Sequence, residues 1–171
     1  MANERIADAI DAATTYLRNN PEEAKAVDSV ATATLMDGLL VRVTGPGDEE
    51  VTTDMVPSVG GTDSAPSPGW LLRAAEASCV ATVIAMRAAV LGISLTSLKV
   101  EFDSESDDRG ILGIDTSVPA GPLGASIRVE LAADGIEDSV LHELAEWGVA
   151  HCPIHDAIAR SVPIVTEITL G

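Results

Sequence analysis

Two cysteines are the residues of this 171-residue chain best suited to redox chemistry. A free cysteine is either an inert core residue or, when a nearby cation lowers its pKa, a thiolate nucleophile. Cys79 lies about three turns inside a predicted helix, too far from the helix start for the helix dipole to act on its thiol. It is therefore either a small core residue or a thiol that an arginine activates.

Cys152 stands between a histidine and a proline, with His155 three residues further on. Because proline interrupts a helix, this thiol is expected at a helix junction. Two interpretations stay open: a thiol within reach of a second thiol, or a zinc ligand, since histidine and cysteine both bind zinc. The zinc interpretation is the weaker one, because only Cys79 is left to complete a ligand set. For His151 and His155 we favour capped or exposed side chains without a chemical role.

Charge and composition exclude several classes of function. The chain has 27 acidic and 10 basic residues and a formal net charge of −17, so nucleic acids and anionic membranes would repel it. No run approaches the roughly 18 apolar residues of a membrane span, and no secretory signal is visible at the start. We therefore expect a cytoplasmic protein that binds neither nucleic acid nor membrane. Phosphate-loop and nucleophile-elbow motifs are also missing from the sequence.

A long helix is the clearest element that could position the first thiol. Ser67 and Pro68 are typical of a helix start and Gly92 of a helix end, which predicts a helix over 67–91. Its interior is almost entirely apolar, so we expect burial on most of its sides. Before it, the pattern predicts an amphipathic helix over 3–18, a turn over 22–27 and an antiparallel meander of strands over 30–35, 39–44 and 50–56.

The second half of the chain mixes strands and helices. Alternating apolar residues predict strands over 97–102, 110–118, 125–132 and 162–170, and helical spacing predicts helices over 136–150 and 154–160. This order predicts an α+β fold in which mostly antiparallel sheets wrap around helices. We expect residues 1–28 to form a helical extension and residues 29–171 the main domain.

Three segments together resemble one known family. The helix segments Ser67-Pro68-Gly69-Trp70-Leu71-Leu72 and Ala74-Ala75-Glu76-Ala77-Ser78-Cys79 are similar to its central helix. So are the later Leu144-Ala145-Glu146 and His151-Cys152-Pro153-Ile154-His155, followed by a terminal strand. The family is the OsmC/Ohr family of thiol peroxidases. The resemblance spans roughly residues 30–170 and leaves the first helix outside.

The resemblance implies a fold, an assembly and an activity. The fold is an intertwined homodimer in which sheets from both chains wrap around two central helices per subunit, with the active sites at the interface. The activity is the thiol-dependent reduction of organic hydroperoxides or hydrogen peroxide in oxidative-stress defence, with no cofactor and no metal. One thiol becomes a sulfenic acid, a second converts it to a disulfide, and a lipoyl-type or other dithiol restores both.

The resemblance also implies roles for particular residues. Cys79 matches the peroxidatic thiol and Cys152 the resolving thiol. An arginine from an early strand holds the thiolate in this family, and Arg42 is the only base in the three-strand region. The family's glutamate, ten residues before the first cysteine, is Gly69 here, so Glu76 is the candidate substitute. The alternative hypothesis is a weakly active or non-catalytic member that binds a small molecule or senses oxidants.

Overall fold

The computed structural model describes residues 2–171 and shows an α+β fold, as the sequence predicts. The chain divides into two compact units, one of residues 9–75 and one that joins residues 76–171 to the segment ending at Asp8. The predicted division after residue 28 stays a prediction. The helices are α1 (Ala2–Asn19), α2 (Pro68–Val90), α3 (Asp108–Ile111), α4 (Asp138–Ala150) and α5 (Pro153–Ala159). The strands are β1 (Thr32–Asp37), β2 (Leu40–Thr44), β3 (Glu50–Thr53), β4 (Leu95–Glu105) and β5 (Gly124–Ala133).

The first unit contains the predicted antiparallel meander. The strands β1, β2 and β3 pair in that order, and Arg42 in the central strand lies opposite Thr34 and Thr52. Gly38, at φ +55°, makes the turn between β1 and β2 in a conformation that glycine adopts without strain. The turn expected over 22–27 is a shorter 3₁₀ turn, Pro21–Ala24. All six residues of β1 are exposed, so this strand has an uncovered face and edge within the chain.

A buried carboxylate organises the loop that leads from β3 towards α2. Asp54 is 2% exposed, and its Oδ2 accepts hydrogen bonds from both the amide and the hydroxyl of Thr62 and of Ser64. Its Oδ1 accepts the amide of Met55 at 2.7 Å. Asp63, between the two anchored residues, has φ 56°, a conformation that costs free energy for a residue with a side chain. The carboxylate therefore holds a strained loop in place.

Asp54→Asn is expected to lower the urea midpoint of unfolding. The amide nitrogen of asparagine would face backbone and hydroxyl donors that need an acceptor. These hydrogen bonds hold the pKa of Asp54 well below its ordinary 3.8. The carboxylate therefore stabilises the fold above that pH, and this stability is lost as the pH falls towards the folded-state pKa. The difference in urea midpoint between wild type and Asp54→Asn should narrow below pH 3.8. The exposed control Asp48→Asn should have the wild-type midpoint at every pH. Equal midpoints of wild type and Asp54→Asn at pH 7 would contradict this account.

Helix α2 begins and ends where the sequence predicts. Ser67 Oγ accepts the amide of Trp70 at 3.2 Å, and Gly92 ends the helix at φ +70°. Within the chain α2 is buried on one face only, so the expected burial on its other sides stays a prediction. That face carries Glu76, Val80, Ile84, Ala88 and Ala89. Trp70, Leu72, Met86 and Val90 are each at least 40% exposed, because a chain of this length offers too few elements to surround the helix.

By length and composition alone α2 could also cross a membrane, since an 18-residue window of it has a mean hydropathy of 1.3. No other helix of residues 2–171 meets these criteria, and the core helix of a soluble protein meets them equally well. The buried face of α2 packs against protein and carries the ionisable Glu76. We therefore treat α2 as a core helix.

The second unit holds a core between helices and a two-stranded sheet. The strands β4 and β5 are antiparallel, with Val100 opposite Val129. Their apolar residues pack on a cluster formed by Val80, Ile84, Ala88, Ile93, Leu144 and Cys152. Gly148 in α4 lies so close to α2 that a Cβ there would meet Ile84 Cγ1 at 2.2 Å. The absence of a side chain at Gly148 thus allows α4 to approach the helix that carries Cys79.

Gly148→Ala is expected to destabilise the protein by about 1–2 kcal/mol. Overpacking a core costs about 1–3 kcal/mol, which outweighs a gain of up to about 1 kcal/mol in helix propensity. Ile84 cannot move away cheaply, because it is fully buried and its Cα would also lie 3.3 Å from the new methyl group. Urea denaturation gives the test, with Gly124→Ala as the control because nothing lies within 4 Å of a Cβ there. A Gly148→Ala midpoint at or above that of wild type would contradict the close packing.

Two predicted strands are wrong. Residues 110–118 do not form a strand; α3 and a turn occupy this region, because Asp107 caps the helix by accepting the amide of Arg109 at 3.0 Å. Residues 162–170 have the alternating pattern of a strand but no strand structure. Their apolar side chains are exposed, Ile164 by 85% and Ile168 by 81%. A strand needs a neighbouring edge for its hydrogen bonds, and no described part of the chain pairs with this segment.

Candidate functional site

Four residues with reactive or ionisable side chains meet in the second unit, where α2 faces the start of α5. Glu76 and Cys79 are three residues apart in α2 and therefore lie on the same side of the helix, one turn from each other. Cys152 is the N-cap residue of α5, and His155 lies in the first turn of that helix. The helix break at Pro153, which the sequence predicts, places Cys152 at this junction.

The two cysteines are free thiols that lie close together, since Cys79 packs against the cluster that contains Cys152 and acts on its pKa. Cys152 is 1% exposed and belongs to the apolar core, whereas Cys79 is half-buried and packs against that core. Burial raises the pKa of the Cys152 thiol. The amide of His155, 3.4 Å from Cys152 Sγ, opposes this effect, while the hydrogen bond and the charge of Cys79 add to it. Because its pKa lies above the ordinary value of 9.0, Cys152 stays protonated at neutral pH.

Glu76 is a fully buried carboxylate with one partner. Its side chain has no exposed surface, and its Oε1 lies 2.7 Å from Nδ1 of His155. When Glu76 is ionised, the Nδ1 proton of His155 donates this hydrogen bond. The other oxygen, Oε2, is buried and has no hydrogen-bond partner among residues 2–171. Because burying a carboxylate costs free energy unless its oxygens are satisfied, an orphaned oxygen of this kind calls for a functional explanation.

The sequence prediction for His155 is wrong. We expected a capped or exposed histidine, but its side chain is only 35% exposed and is held by Glu76. The sequence signal that could have identified His155 is its spacing. It follows Cys152 by one helical turn, just as the acidic residue Glu76 precedes Cys79 by one turn. For His151 the expectation of exposure is confirmed, and its ring stacks on Trp147 with a centroid distance of 4.0 Å.

Arg42 is the one proposed site residue that lies in the other unit. It is exposed on β2, and its side chain makes no hydrogen bond or ion pair with any described residue of the chain. The structure thus brings Glu76, Cys79 and Cys152 together and adds His155 to them. Across residues 2–171, no group of three or more histidine, cysteine, aspartate or glutamate side chains has an arrangement that could hold a metal ion.

The chain matches one protein-family model. The family model is described as OsmC-like protein and matches residues 61–167. This range includes Glu76, Cys79, Cys152 and His155. A search of curated proteins by sequence found no match.

Solved structures of low sequence identity share the fold. An OsmC-like protein from Mycoplasma pneumoniae has a TM-score of 0.68 at 15% identity, over 80% of this chain and 91% of that one. The organic hydroperoxide resistance protein OsmC from Legionella pneumophila has a TM-score of 0.58 at 20% identity, over 78% and 91%. An organic hydroperoxide resistance protein from Elizabethkingia anophelis, with thiocyanate bound, has a TM-score of 0.59 at 18% identity, over 81% and 92%. At these identities the similarity establishes the fold.

Proposed function

The chain belongs to the OsmC-like protein family, and on this premise we propose that it reduces organic hydroperoxides with the thiols of Cys79 and Cys152. One observation carries the proposal: two free thiols lie close together in an apolar setting, one half-buried and one fully buried. Two relatives of the same fold are hydroperoxide resistance proteins. We assign this chain to the same defence against oxidants.

The first step is attack by Cys79 on the peroxide. Its thiolate attacks the terminal oxygen of the hydroperoxide, an S–O bond forms and the O–O bond breaks. The alkoxide leaves and takes up a proton to become an alcohol. Cys79 suits this step because it is the less buried of the two thiols. Cys152 does not suit it, because its raised pKa keeps it protonated and its burial keeps it from the substrate.

The second step joins the two sulfurs. Cys152 attacks the sulfenic acid of Cys79, the S–S bond forms, the S–O bond breaks and water leaves. A dithiol of the lipoyl type then reduces the disulfide by exchange and regenerates both thiols. No cofactor enters these steps. The cytoplasmic location expected from the sequence stays a prediction.

Arg42 and Glu76 complete the proposed site. A thiolate that attacks a peroxide needs a nearby positive charge, and we assign this role to Arg42, which has no ion-pair partner in the described chain. Glu76 is proposed to act from its buried position one turn before Cys79, in place of the family glutamate that is Gly69 here.

We also propose a homodimer with the active sites at its interface. The exposed apolar side chains of α2, the uncovered strand β1 and the unpaired segment 162–170 support it, because large exposed apolar surfaces usually mark an interface. Sedimentation should give about twice the 17.6-kDa mass of one chain. A monomer at micromolar concentration would contradict the dimer.

The test of the proposed function is a turnover assay with cumene hydroperoxide and dihydrolipoamide. With the dithiol present, we expect each chain to consume many equivalents of peroxide. Without the dithiol, we expect it to consume one equivalent. A redox sensor, the alternative in the same fold, would stop after one equivalent under both conditions. If peroxide is consumed only as fast as it reacts with the dithiol without protein, both functions are contradicted. A small-molecule-binding protein would then be the remaining alternative.

A further inference from the structure

The contact between Glu76 and His155 has no use in the two thiol steps described so far. It joins α2 to α5 across 79 residues of sequence and ends on a carboxylate with no exposed surface. Both members lie one helical turn from a cysteine, Glu76 from Cys79 and His155 from Cys152. Since a buried carboxylate with an unsatisfied oxygen lowers stability, its position beside the reacting sulfurs points to a role in their chemistry.

The disulfide-forming step needs a base. Cys152 must lose its proton as its sulfur attacks the sulfenic acid, and the departing oxygen must gain one to leave as water. The backbone amide of His155, 3.4 Å from Cys152 Sγ, can only donate a hydrogen bond, so it cannot take the proton. Glu76 accepts from His155 through Oε1. The imidazole of His155 is therefore the side chain at this junction best able to accept and return a proton.

On the basis of the proposed peroxidase function, we propose that His155 is the proton acceptor for disulfide formation and that Glu76 is its positioning residue. In this step the S–H bond of Cys152 breaks and its proton passes to Nε2 of His155. The S–S bond forms as the S–O bond of Cys79 breaks, and the proton returns from His155 to the departing hydroxide. The sulfenic sulfur is reduced, the thiol sulfur is oxidised and one water molecule leaves.

Glu76 fits the positioning role because of the ring nitrogen it contacts. A hydrogen bond from Nδ1 to Oε1 fixes the proton on Nδ1, so that Nε2 has its lone pair free to accept. A buried anion also stabilises the imidazolium that forms when the proton arrives, as the carboxylate does for histidine in hydrolytic triads.

The variant that tests the proposal is His155→Asn. The side-chain nitrogen of asparagine can occupy the position of Nδ1 and donate to Glu76, but an amide does not accept a proton at neutral pH. We expect sulfenic acid to form within about twofold of the wild-type rate. Disulfide formation should be about 100-fold slower, because general base catalysis contributes about 10²–10⁴-fold. Rapid quenching with a sulfenic-acid trap, followed by mass spectrometry, measures both rates.

A matched control and a second variant separate chemistry from structure. His142→Asn removes an exposed histidine that lies 3.9 Å from Glu146, and it should leave both rates unchanged. His155→Gln carries its amide one carbon further from the backbone than asparagine does, and it should slow the disulfide step while sparing the first step. Glu76→Gln keeps the size of the carboxylate but removes its charge, and it should slow the disulfide step.

Three outcomes would overturn the proposal. Unchanged disulfide formation in both His155 variants would show that no proton passes through this residue. Equal slowing of the two steps would assign His155 a structural role only. If the wild-type protein forms neither sulfenic acid nor disulfide, the proposed function itself fails. This failure is distinguishable from failure of the His155 proposal, because it is seen in the wild-type protein without any variant.

Discussion

Cys79→Ser is expected to lower kcat/KM for cumene hydroperoxide by at least about 1000-fold, the order of loss seen when an enzyme loses its nucleophile. A serine hydroxyl is barely ionised at neutral pH, so no nucleophile remains to break the O–O bond. The substitution is structurally mild, because Cys79 is only half-buried and lies at the edge of the core. The measurement is peroxide consumption under saturating dithiol.

Thr82→Ser is the control for the Cys79 variant. It changes an exposed side chain one turn further along α2 and should keep the wild-type rate. A Cys79→Ser protein that keeps more than about a tenth of the activity would show that another group attacks the peroxide. In that case Cys152 would be the first residue to examine, because it is the only other thiol of the chain.

Cys152→Ser is expected to spare the first step and to slow turnover. Serine is a good N-cap residue, and its hydroxyl can accept the His155 amide that Cys152 Sγ accepts, so α5 should keep its start. Without a resolving thiol, the sulfenic acid of Cys79 persists and oxidises further to the irreversible sulfinic state. We expect one rapid equivalent of peroxide consumption and then a steady-state rate about 100-fold below wild type, as for loss of a catalytic group.

The pattern of oxidation distinguishes this result from simple loss of folding. A folded Cys152→Ser protein should give a trapped sulfenic acid at Cys79 within the time of the first equivalent. Wild-type turnover in this variant would mean that the external dithiol reduces the sulfenic acid directly and that Cys152 only fills the core. Urea denaturation of the variant shows whether the buried hydroxyl has destabilised the fold.

Local signals predict the elements of this fold well, because each depends on residues near in sequence. The start of α2 follows from Ser67 and Pro68, and its end follows from Gly92, whose positive φ the structure confirms. The hairpin at Gly38 is equally local. The strand predicted at 162–170 fails for the opposite reason, since alternation describes a strand but supplies no partner edge.

Contacts between distant residues are what the sequence does not supply. Glu76 can be placed one turn before Cys79 by counting, but its burial and its bond to His155 depend on how α2 packs against α5. Gly148 likewise has no sequence signal for the close approach to Ile84 that it permits. A histidine next to a helix start is usually solvated or capping, so nothing local in the sequence indicates that His155 contacts a buried carboxylate.

The proximity of two sulfurs in one apolar setting underlies all of the proposed chemistry. Disulfide mapping after a single equivalent of peroxide tests it most directly. Reduced protein would be treated with cumene hydroperoxide, alkylated, digested and analysed by mass spectrometry. We expect one peptide pair that links Cys79 to Cys152 and has lost two hydrogen atoms. Recovery of both cysteines as alkylated thiols, or of Cys79 as a sulfinic acid beside a free Cys152, would contradict the account.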